Sequence, residues 1–339
     1  MIADSNTKLI SLIMPTYNVE SYIVDSIHSI LNQNSQNYQL IIVDDHSLDQ
    51  TVEIIKNFFI DEIEKGIITL IELKHNSGPS VARQIGLDMV ETPYVTFIDS
   101  DDSYISTNVI SLLEKNIHEF EPDLIMYKYQ TDHGRIKIKK KYKLPVNRLL
   151  TRKEAFVEKI TSFHPIWHYI WNKCYRTEII KSHNIHFIKE LRIAEDVRFN
   201  EDFLQYCNRL LFIDQYLYLY NCMNSQSISK HSSNRNEKTI EDFKKRFNHE
   251  CHQFDRLSYQ AKLFNCEKEC ERALQRQLCL SIINLFNQAK PYPFYKDIKK
   301  QIQETVYYSI INPVYFECYI RQSVKSFFST LKRIIKEQI

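Results

Sequence analysis

Short apolar segments alternate with helical patterns through the first third of the chain. Four segments rich in β-branched residues are predicted as strands, at residues 8–15, 38–43, 66–73 and 94–99. Three helices are predicted between them, at residues 22–33, at 51–59, and around an apolar stripe of Val81, Ile85 and Met89. This alternation predicts a mostly parallel α/β sheet, whose ligands bind at the carboxyl ends of the strands.

Two adjacent carboxylates, Asp44 and Asp45, end the second predicted strand. In isolation this pair resembles either the acidic pair of a bacterial receiver domain or the strand end of a nucleotide-binding sheet. A receiver carries its acidic pair after its first strand, whereas here a strand and a helix come first. Asp88 is at about the right separation for a phospho-acceptor, but it lies in the third predicted helix and not at a strand end. The receiver interpretation therefore fails on geometry.

Composition excludes several classes of protein and suggests two domains. The 339-residue chain has a net charge of +2, which gives no support for a nucleic-acid partner. It contains four Gly and neither G-x-G-x-x-G nor G-x-x-x-x-G-K-[ST], which disfavours a dinucleotide fold and a P-loop NTPase. The pattern becomes almost entirely helical from about residue 236. We expect an α/β domain at 1–235, with halves at 1–105 and 106–235, and a helical domain at 236–339.

Cysteine usage and hydropathy predict a cytoplasmic protein. The eight Cys form no C-x-x-C pair, and a reducing compartment suits such scattered thiols. Cys266 and Cys270 are four residues apart in a helical stretch, which favours a packed helix face over half of a zinc site. No apolar run approaches the ~18 residues of a membrane span. We therefore expect the chain to be soluble, or to be held at a membrane only from its surface.

Four polar clusters follow the predicted strands in a fixed order: "PTYN" (15–18), "DD" (44–45), "NSGPSVARQIG" (76–86) and "DSDD" (99–102). Together, in this order and spacing, they closely resemble the family 2 glycosyltransferases with the GT-A fold, a Rossmann-like nucleotide-sugar-binding fold. The resemblance covers about residues 8–230. Segments at 171–180, 195–204 and 218–229 resemble the acceptor half of that family.

The resemblance implies a UDP-sugar donor and a divalent metal, Mn²⁺ or Mg²⁺. It implies that Asp99 contacts the ribose and Asp101 the metal, while Asp102 supports the loop or caps a helix. Asp44 or Asp45 can accept a hydrogen bond from the imide N–H of uracil. The full set of expected donor contacts is Pro15, Thr16, Tyr17, Asp44, Asp45, Arg83, Asp99 and Ser100. Tyr17 either lies against the base or is a packed aromatic residue, and Arg83 reaches the base or the phosphates or is a surface helix residue.

The catalytic expectation concerns Glu195 and Asp196, which resemble the acidic pair of the family. Inverting transfer needs one base that takes the proton of the acceptor hydroxyl, and Asp196 is predicted as that base. The alternative is a helix N-terminus that these acids stabilise through the helix dipole. Trp171 and Lys173 are predicted to shape the acceptor pocket. The loop at 224–231 can close over the diphosphate.

Two other functions and one membrane question remain open from the sequence. A nucleotidyltransferase is disfavoured because "MPTYNVES" lacks the expected glycines and basic residues. A non-catalytic nucleotide-sugar-binding protein would bind without turnover. For the enzyme, family analogy implies a glycan or lipid-linked acceptor in surface polysaccharide synthesis. Residues 319–339 form a basic amphipathic helix pattern, which either lies on an anionic membrane or packs on the protein or in a homodimer.

Overall fold

The computed structural model describes residues 8–132, 134–135, 148–162, 164–189, 195–222, 240–274, 276–277 and 281. The chain divides into two compact units, Met1–Asn224 and Ser225–Ile339. Two segments discussed above lie outside the described residues, namely the loop at 224–231 and the C-terminal segment at 319–339.

The first unit is built from strands and helices that alternate along the chain. Its strands are β1 (Ile10–Thr16), β2 (Tyr38–Asp44), β3 (Ile68–Glu72), β4 (Tyr94–Phe97), β5 (Ser103–Tyr104), β6 (Leu124–Thr131), β7 (Gly134–Arg135), β8 (Leu149–Leu150), β9 (Lys173–Arg176) and β10 (Leu210–Tyr220). Its helices are α1 (Ile23–Leu31), α2 (Thr51–Phe58), α3 (Ile60–Glu64), α4 (Pro79–Asp88), α5 (Val109–Phe120), α6 (Arg152–Ser162), α7 (Thr177–Ser182) and α8 (Glu195–Leu204), with one 3₁₀ turn, Pro165–Trp167.

All the strands of this unit belong to one sheet. Its order is β3-β2-β1-β4-β9-β6-β10-β5, with β7 paired to β6 and β8 paired to β10. Strands β1 to β4 are mutually parallel, and β6 is parallel to β10. Strand β9 enters antiparallel between β4 and β6 and so joins the two parallel groups. The predicted mostly parallel α/β sheet is confirmed.

The register of the parallel strands brings their carboxyl ends to one edge of the sheet. Thr16 at the end of β1 lies beside Asp44 at the end of β2, and Ile13 lies beside Phe97 of β4. Strands β1, β2 and β4 are buried at nearly every residue, as expected where helices cover both faces of a parallel sheet. The polar residues that follow these strands therefore meet above a rigid apolar core.

Helix α4 buries a different face from the one that its apolar pattern predicts. The predicted helix is confirmed, but its apolar stripe is not its most buried face, because Val81 and Ile85 are half-buried and Met89 is 52% exposed. Its small residues Ala82 and Gly86 face the sheet instead and are buried. A Cβ atom at position 86 would lie 2.6 Å from Cγ2 of Ile13, so the helix backbone approaches β1 too closely for any larger residue. The buried face of α4 beside β1 is therefore determined by how closely the helix backbone approaches the strand, and not by the apolar area of its side chains.

The second unit begins in the described part with helix α9 (Ile240–Leu263). Cys266 and Cys270 follow it, and both are fully buried, with their sulfur atoms 3.9 Å apart. The prediction that these cysteines pack against a core is confirmed. Among the described helices of the chain, none is both long and apolar enough to cross a membrane.

Candidate active site

The acids at the end of β2 are tied to the neighbouring loops. Asp44 accepts hydrogen bonds from the backbone N–H of Ser47 at 2.9 Å and from its hydroxyl at 2.5 Å. Asp45 accepts from the backbone N–H groups of Ser77 and Gly78, each at 2.7 Å and each to a different carboxylate oxygen. Asp45 thereby holds the loop that begins α4. Because a carboxylate oxygen can accept more than one hydrogen bond, these contacts leave both acids able to accept another from a ligand.

The loop after β1 carries the exposed aromatic residue of this edge. Tyr17 is 42% exposed, whereas Thr16 before it is buried. Asn18 follows with a positive φ of 50°, and its side chain accepts a hydrogen bond from the backbone N–H of Leu48 at 2.8 Å. Tyr17 is therefore exposed at the carboxyl end of β1, next in sequence to Thr16, which pairs with Asp44. Its predicted contact with a base remains a prediction.

Arg83 of α4 connects two acids that are distant in sequence. Its Nη2 lies 2.9 Å from Asp99 and its Nη1 lies 2.7 Å from Glu195. Arg83 is only 7% exposed. Burial lowers the pKa of the guanidinium, but Asp99 and Glu195 outweigh that effect and raise the pKa above its usual value. Arg83 is thus a buried cation between two carboxylates, and not a surface helix residue.

The "DSDD" loop follows β4 and is anchored through Asp102. This residue is 2% exposed, and its carboxylate accepts from the Tyr218 hydroxyl and from the backbone N–H of Asn221, both at 2.7 Å. Burial, followed by the charges of Asp99 and Asp101, raises the pKa of Asp102 well above its usual value. Strand β5 comes next, so the alternative in which Asp102 caps a helix is wrong. Asp102 supports the loop from inside.

The remaining loop residues lie closer to the surface. Asp99 and Asp101 are half-buried, whereas Ser100 between them is 6% exposed. The backbone N–H of Asp99 donates to the Tyr218 hydroxyl at 3.0 Å. The backbone N–H of Asp102 donates to the Asp99 carbonyl at 3.0 Å, which closes the turn. The loop therefore presents Asp99 and Asp101 at the edge where the parallel strands end.

Glu195 and Asp196 form the first turn of α8 in the described residues. Burial, followed by the neighbouring Glu195 charge, raises the pKa of Asp196 to about 6, while Arg83 and Lys173 act in the opposite direction. Asp196 also accepts a hydrogen bond from the backbone N–H of Val197 at 2.7 Å. A carboxylate with a pKa near neutrality is suited to accept and release a proton. The ion pair of Glu195 with Arg83 links this acid pair to Asp99.

Trp171 and Lys173 lie inside the protein. Trp171 is 4% exposed and stacks between Tyr169 and Tyr218, with ring centroids 4.6 Å and 4.4 Å away. The ammonium of Lys173, which is 1% exposed, donates to the carbonyls of Ile166 and Tyr169 and to the side chain of Asn172. Three acceptors match the three N–H bonds of an ammonium. Trp171 and Lys173 therefore hold the 165–172 segment in place from inside. They can shape a pocket through the position of that segment.

A family model, Glycosyl transferase family 2, matches residues 11–178, which include the strand-end clusters described above. The chain belongs to this family. Among curated relatives of this glycosyltransferase, EpsJ of Bacillus subtilis (strain 168), described as an uncharacterized glycosyltransferase, is 27% identical over 319 residues. That match covers 89% of this chain and 85% of EpsJ.

A second relative, TarS, provides a link to known ligands. This poly(ribitol-phosphate) beta-N-acetylglucosaminyltransferase of Staphylococcus aureus (strain Mu50) is 30% identical over 213 residues, which cover 62% of this chain and 35% of TarS. The crystal structure of S. aureus TarS 1-349 with UDP matches with a TM-score of 0.54 at 27% identity, over 63% of this chain and 60% of that one. The complex with UDP-GlcNAc matches with a TM-score of 0.58 at 21% identity, over 83% and 81% of the chains. The GT-A fold is confirmed.

The acids of the glycosyltransferase site fit a divalent cation that is shared with a ligand. Within the described ranges, no three His, Cys, Asp or Glu side chains converge to form a metal site by themselves. A cation held by one or two carboxylates and by substrate phosphates does not need such a cage. Asp99 and Asp101 carry hard carboxylate oxygens, and their charges are close enough to raise the pKa of the buried Asp102. This local excess of negative charge favours a cation.

Sequence reasoning missed Tyr218 as part of this site. The resemblance places segment 218–229 in the acceptor half. The hydroxyl of Tyr218, however, bonds Asp99 and Asp102 of the nucleotide half. The two partners lie 119 and 116 residues away, so no local pattern reports them. The available signal is that Tyr218 alternates with apolar residues in "YLYLY" (216–220), since a buried Tyr hydroxyl usually has a polar partner.

Proposed function

We propose that this glycosyltransferase moves a hexose or N-acetylhexosamine from a UDP-sugar to a hydroxyl of a glycan acceptor, with inversion at the anomeric carbon. The observation that supports the proposal best is the ion-pair bridge through Arg83. It joins Asp99, which follows β4, to Glu195, the neighbour of Asp196. One edge of the sheet thus carries acids suited to a nucleotide diphosphate together with a carboxylate whose pKa is about 6. TarS, crystallised with UDP and with UDP-GlcNAc, makes N-acetylglucosamine the first sugar to test.

In the proposed mechanism Asp196 is the general base. As the acceptor oxygen attacks the anomeric carbon, its proton passes to the carboxylate of Asp196. The bond from that carbon to the β-phosphate oxygen breaks on the opposite face, and its electron pair leaves with UDP. The products are an inverted glycoside, UDP and the proton held by Asp196. No second carboxylate is needed as a nucleophile.

The other residues bind and orient the donor. Asp99 receives the ribose hydroxyls and is kept in position by Arg83 at 2.9 Å. Asp44 or Asp45 accepts the imide N–H of uracil, against which Tyr17 lies. Asp101, with Asp99, would hold the divalent cation, which when bound supplies positive charge to the leaving diphosphate. The buried Asp102 keeps these two acids at the edge of the sheet.

A thermal-shift screen followed by turnover tests this proposal. The chain is heated with UDP-Glc, UDP-Gal, UDP-GlcNAc or UDP-GalNAc, each with Mn²⁺ and each with EDTA. We expect one sugar nucleotide to raise the melting temperature most, in the presence of metal, and to release UDP when an acceptor glycan is added. Stabilisation without UDP release would favour a non-catalytic binding protein. No response to any UDP compound would overturn the proposal.

The acceptor is proposed to be a lipid-linked or surface polysaccharide precursor at the inner face of the cytoplasmic membrane. The support is the set of relatives, which includes a putative teichuronic acid biosynthesis glycosyltransferase, TuaG of Bacillus subtilis. The basic amphipathic segment at 319–339 either binds that membrane or packs on the protein or a second copy. Sedimentation with anionic liposomes that weakens with salt and disappears on truncation after residue 318 would support membrane binding. Dimer loss on the same truncation would support a contact between copies.

A further inference from the structure

Tyr218 belongs to β10, which is part of the acceptor half. Its side chain reaches the 99–102 loop of the nucleotide half. Tyr218 pairs with Tyr104 of β5 on one side and with Tyr129 of β6 on the other. The register with β6 is irregular between Tyr216 and Tyr218. Such irregularities redirect a side chain relative to its neighbours. Tyr218 is fully buried, so its hydroxyl needs partners inside the protein.

Both of these partners belong to the loop that is proposed to bind the donor. The Tyr218 hydroxyl accepts from the backbone N–H of Asp99 at 3.0 Å and donates to the Asp102 carboxylate at 2.7 Å. The backbone N–H of Asn221 donates to the other Asp102 oxygen at 2.7 Å. One segment, 218–221, thus holds both ends of the 99–102 turn. Asp101 lies between the two anchored residues.

The ring of Tyr218 connects this loop to the aromatic residues of the acceptor half. It stacks on Trp171 with a centroid distance of 4.4 Å and an interplanar angle of 10°. Trp171 stacks in turn on Tyr169 at 4.6 Å and on Tyr220 at 5.6 Å. Displacement of the Tyr218 ring would therefore move Trp171 as well as the turn. Packing of this kind makes the hydroxyl position well defined.

We infer that Tyr218 is a positioning residue of the donor site, which holds Asp99 and Asp101 in place through the Asp99 amide and the Asp102 carboxylate. The expected effect of Tyr218 on UDP binding rests on the proposed function. Its expected effect on the 99–102 turn is independent of that function. Without the hydroxyl, the Asp99 N–H and one Asp102 oxygen lose a buried partner, which favours rearrangement of the turn. The residues predicted to face ribose and metal would then be less well preorganised.

The test compares Tyr218→Phe with Tyr38→Phe. Tyr38 is a suitable control because it is 1% exposed and its hydroxyl also makes a buried hydrogen bond, to the Ile30 carbonyl at 2.9 Å. Tyr38 is the first residue of β2, so it lies at the amino end of that strand and not at the carboxyl ends, where the acids lie. Both variants remove one buried hydroxyl from an otherwise unchanged ring, so we expect both to lower the melting temperature. Only Tyr218→Phe should affect the 99–102 turn.

Two measurements on the full chain separate the outcomes. Hydrogen–deuterium exchange of peptides that contain residues 99–102 should become about tenfold faster in Tyr218→Phe alone, because a buried hydrogen bond that held the turn is lost. Calorimetry with UDP and Mn²⁺ should show an affinity about tenfold weaker in the same variant.

Unchanged exchange at the turn would overturn the inference. Faster exchange with wild-type UDP affinity would reduce Tyr218 to a packing role and overturn it too. Absence of UDP binding by the wild type would instead reject the proposed function, and the exchange data would still decide whether Tyr218 holds the turn.

Discussion

Arg83 and Glu195 form an ion pair 2.7 Å long within the protein, although 112 residues separate them. The side chains are only 9% and 13% exposed, so little solvent screens the pair. Arg83 also bonds Asp99 at 2.9 Å. Since Asp196 follows Glu195 on the first turn of α8, the position and charge environment of the proposed base depend on α4 and on the loop after β4.

The rate of transfer should depend on pH through Asp196. Its pKa of about 6 requires that it lose its proton before it can act as a base, so kcat should rise with pH up to about 6 and then level off. The neighbouring Glu195 charge raises that pKa. In Glu195→Gln the rising limb should therefore move to lower pH, whereas in the control Glu119→Gln, at an exposed position on α5, it should stay in place. Coincident profiles for wild type and Glu195→Gln would show that another group controls the limb.

Asp196→Asn should retain donor binding and lose transfer by ~10²-fold or more, because an amide cannot accept the acceptor proton. UDP affinity by calorimetry and UDP release with acceptor present measure the two effects separately. The matched control is Asp88→Asn, which changes an exposed carboxylate on α4 and should transfer at the wild-type rate. If Asp196→Asn turns over as the wild type does, the base lies elsewhere, and Glu195 is the next candidate.

The same substitution should stabilise the fold at neutral pH. Burial raises the pKa of Asp196 from 3.8 to about 6, so the folded state binds this proton more tightly than the unfolded state. The resulting stability is present below about pH 4 and is lost as the pH rises to about 6. One pKa unit corresponds to about 1.4 kcal/mol, and Asn avoids the loss, so its free energy of unfolding should exceed that of the wild type by about 3 kcal/mol at pH 7.5. Denaturant titrations should show this difference at pH 7.5 and not at pH 4. Equal stability at both values would mean that Asp196 is not a destabilised carboxylate.

Asp101→Asn should abolish metal-dependent UDP binding without loss of the fold. The reason is that a cation bridging the diphosphate requires a carboxylate at the end of β4. Calorimetric titration of UDP with Mn²⁺ provides the measurement, and Asp61→Asn, on the exposed side of α3, provides the control. Wild-type affinity in Asp101→Asn would exclude this residue as the metal ligand.

The first four strands and the meeting of the acids at their carboxyl ends could be predicted because both follow from local patterns. Apolar runs define the strands, and parallel register brings the residues after β1, β2 and β4 to one edge. The partners of Arg83 could not be predicted in this way. Its motif suggested a base or phosphate contact, whereas the structure pairs it with Asp99 and with Glu195, which lies in another part of the chain. Such pairs depend on the tertiary fold, which brings the first turn of α8 and the loop after β4 to the side chain of Arg83.

Burial of Trp171 and Lys173 was likewise invisible to the sequence. An indole beside a lysine is typical of a sugar-binding surface, but here the indole lies within a stack of tyrosines and the ammonium is enclosed by carbonyl groups. The carbonyl acceptors and Tyr169 come from the folding of the 165–172 segment, whereas Tyr218 comes from β10. Local residue types cannot show whether such a segment turns its side chains inward.

Gly86→Ala should destabilise the first unit although alanine favours helices. A Cβ atom at position 86 would lie 2.6 Å from Cγ2 of Ile13 and 3.4 Å from Cγ2 of Val43. Ile13 is fully buried and β-branched, so it has little freedom to move aside. Overpacking of this kind costs about 1–3 kcal/mol, against a gain in helix propensity of about 1 kcal/mol. Urea unfolding should therefore show a net loss of up to about 2 kcal/mol.

The control Met89→Ala, at a position 52% exposed, should change stability by no more than about 0.5 kcal/mol. A more stable Gly86→Ala would show that position 86 tolerates a Cβ atom, and a larger loss in Met89→Ala would show that Met89 contributes to the packing of α4.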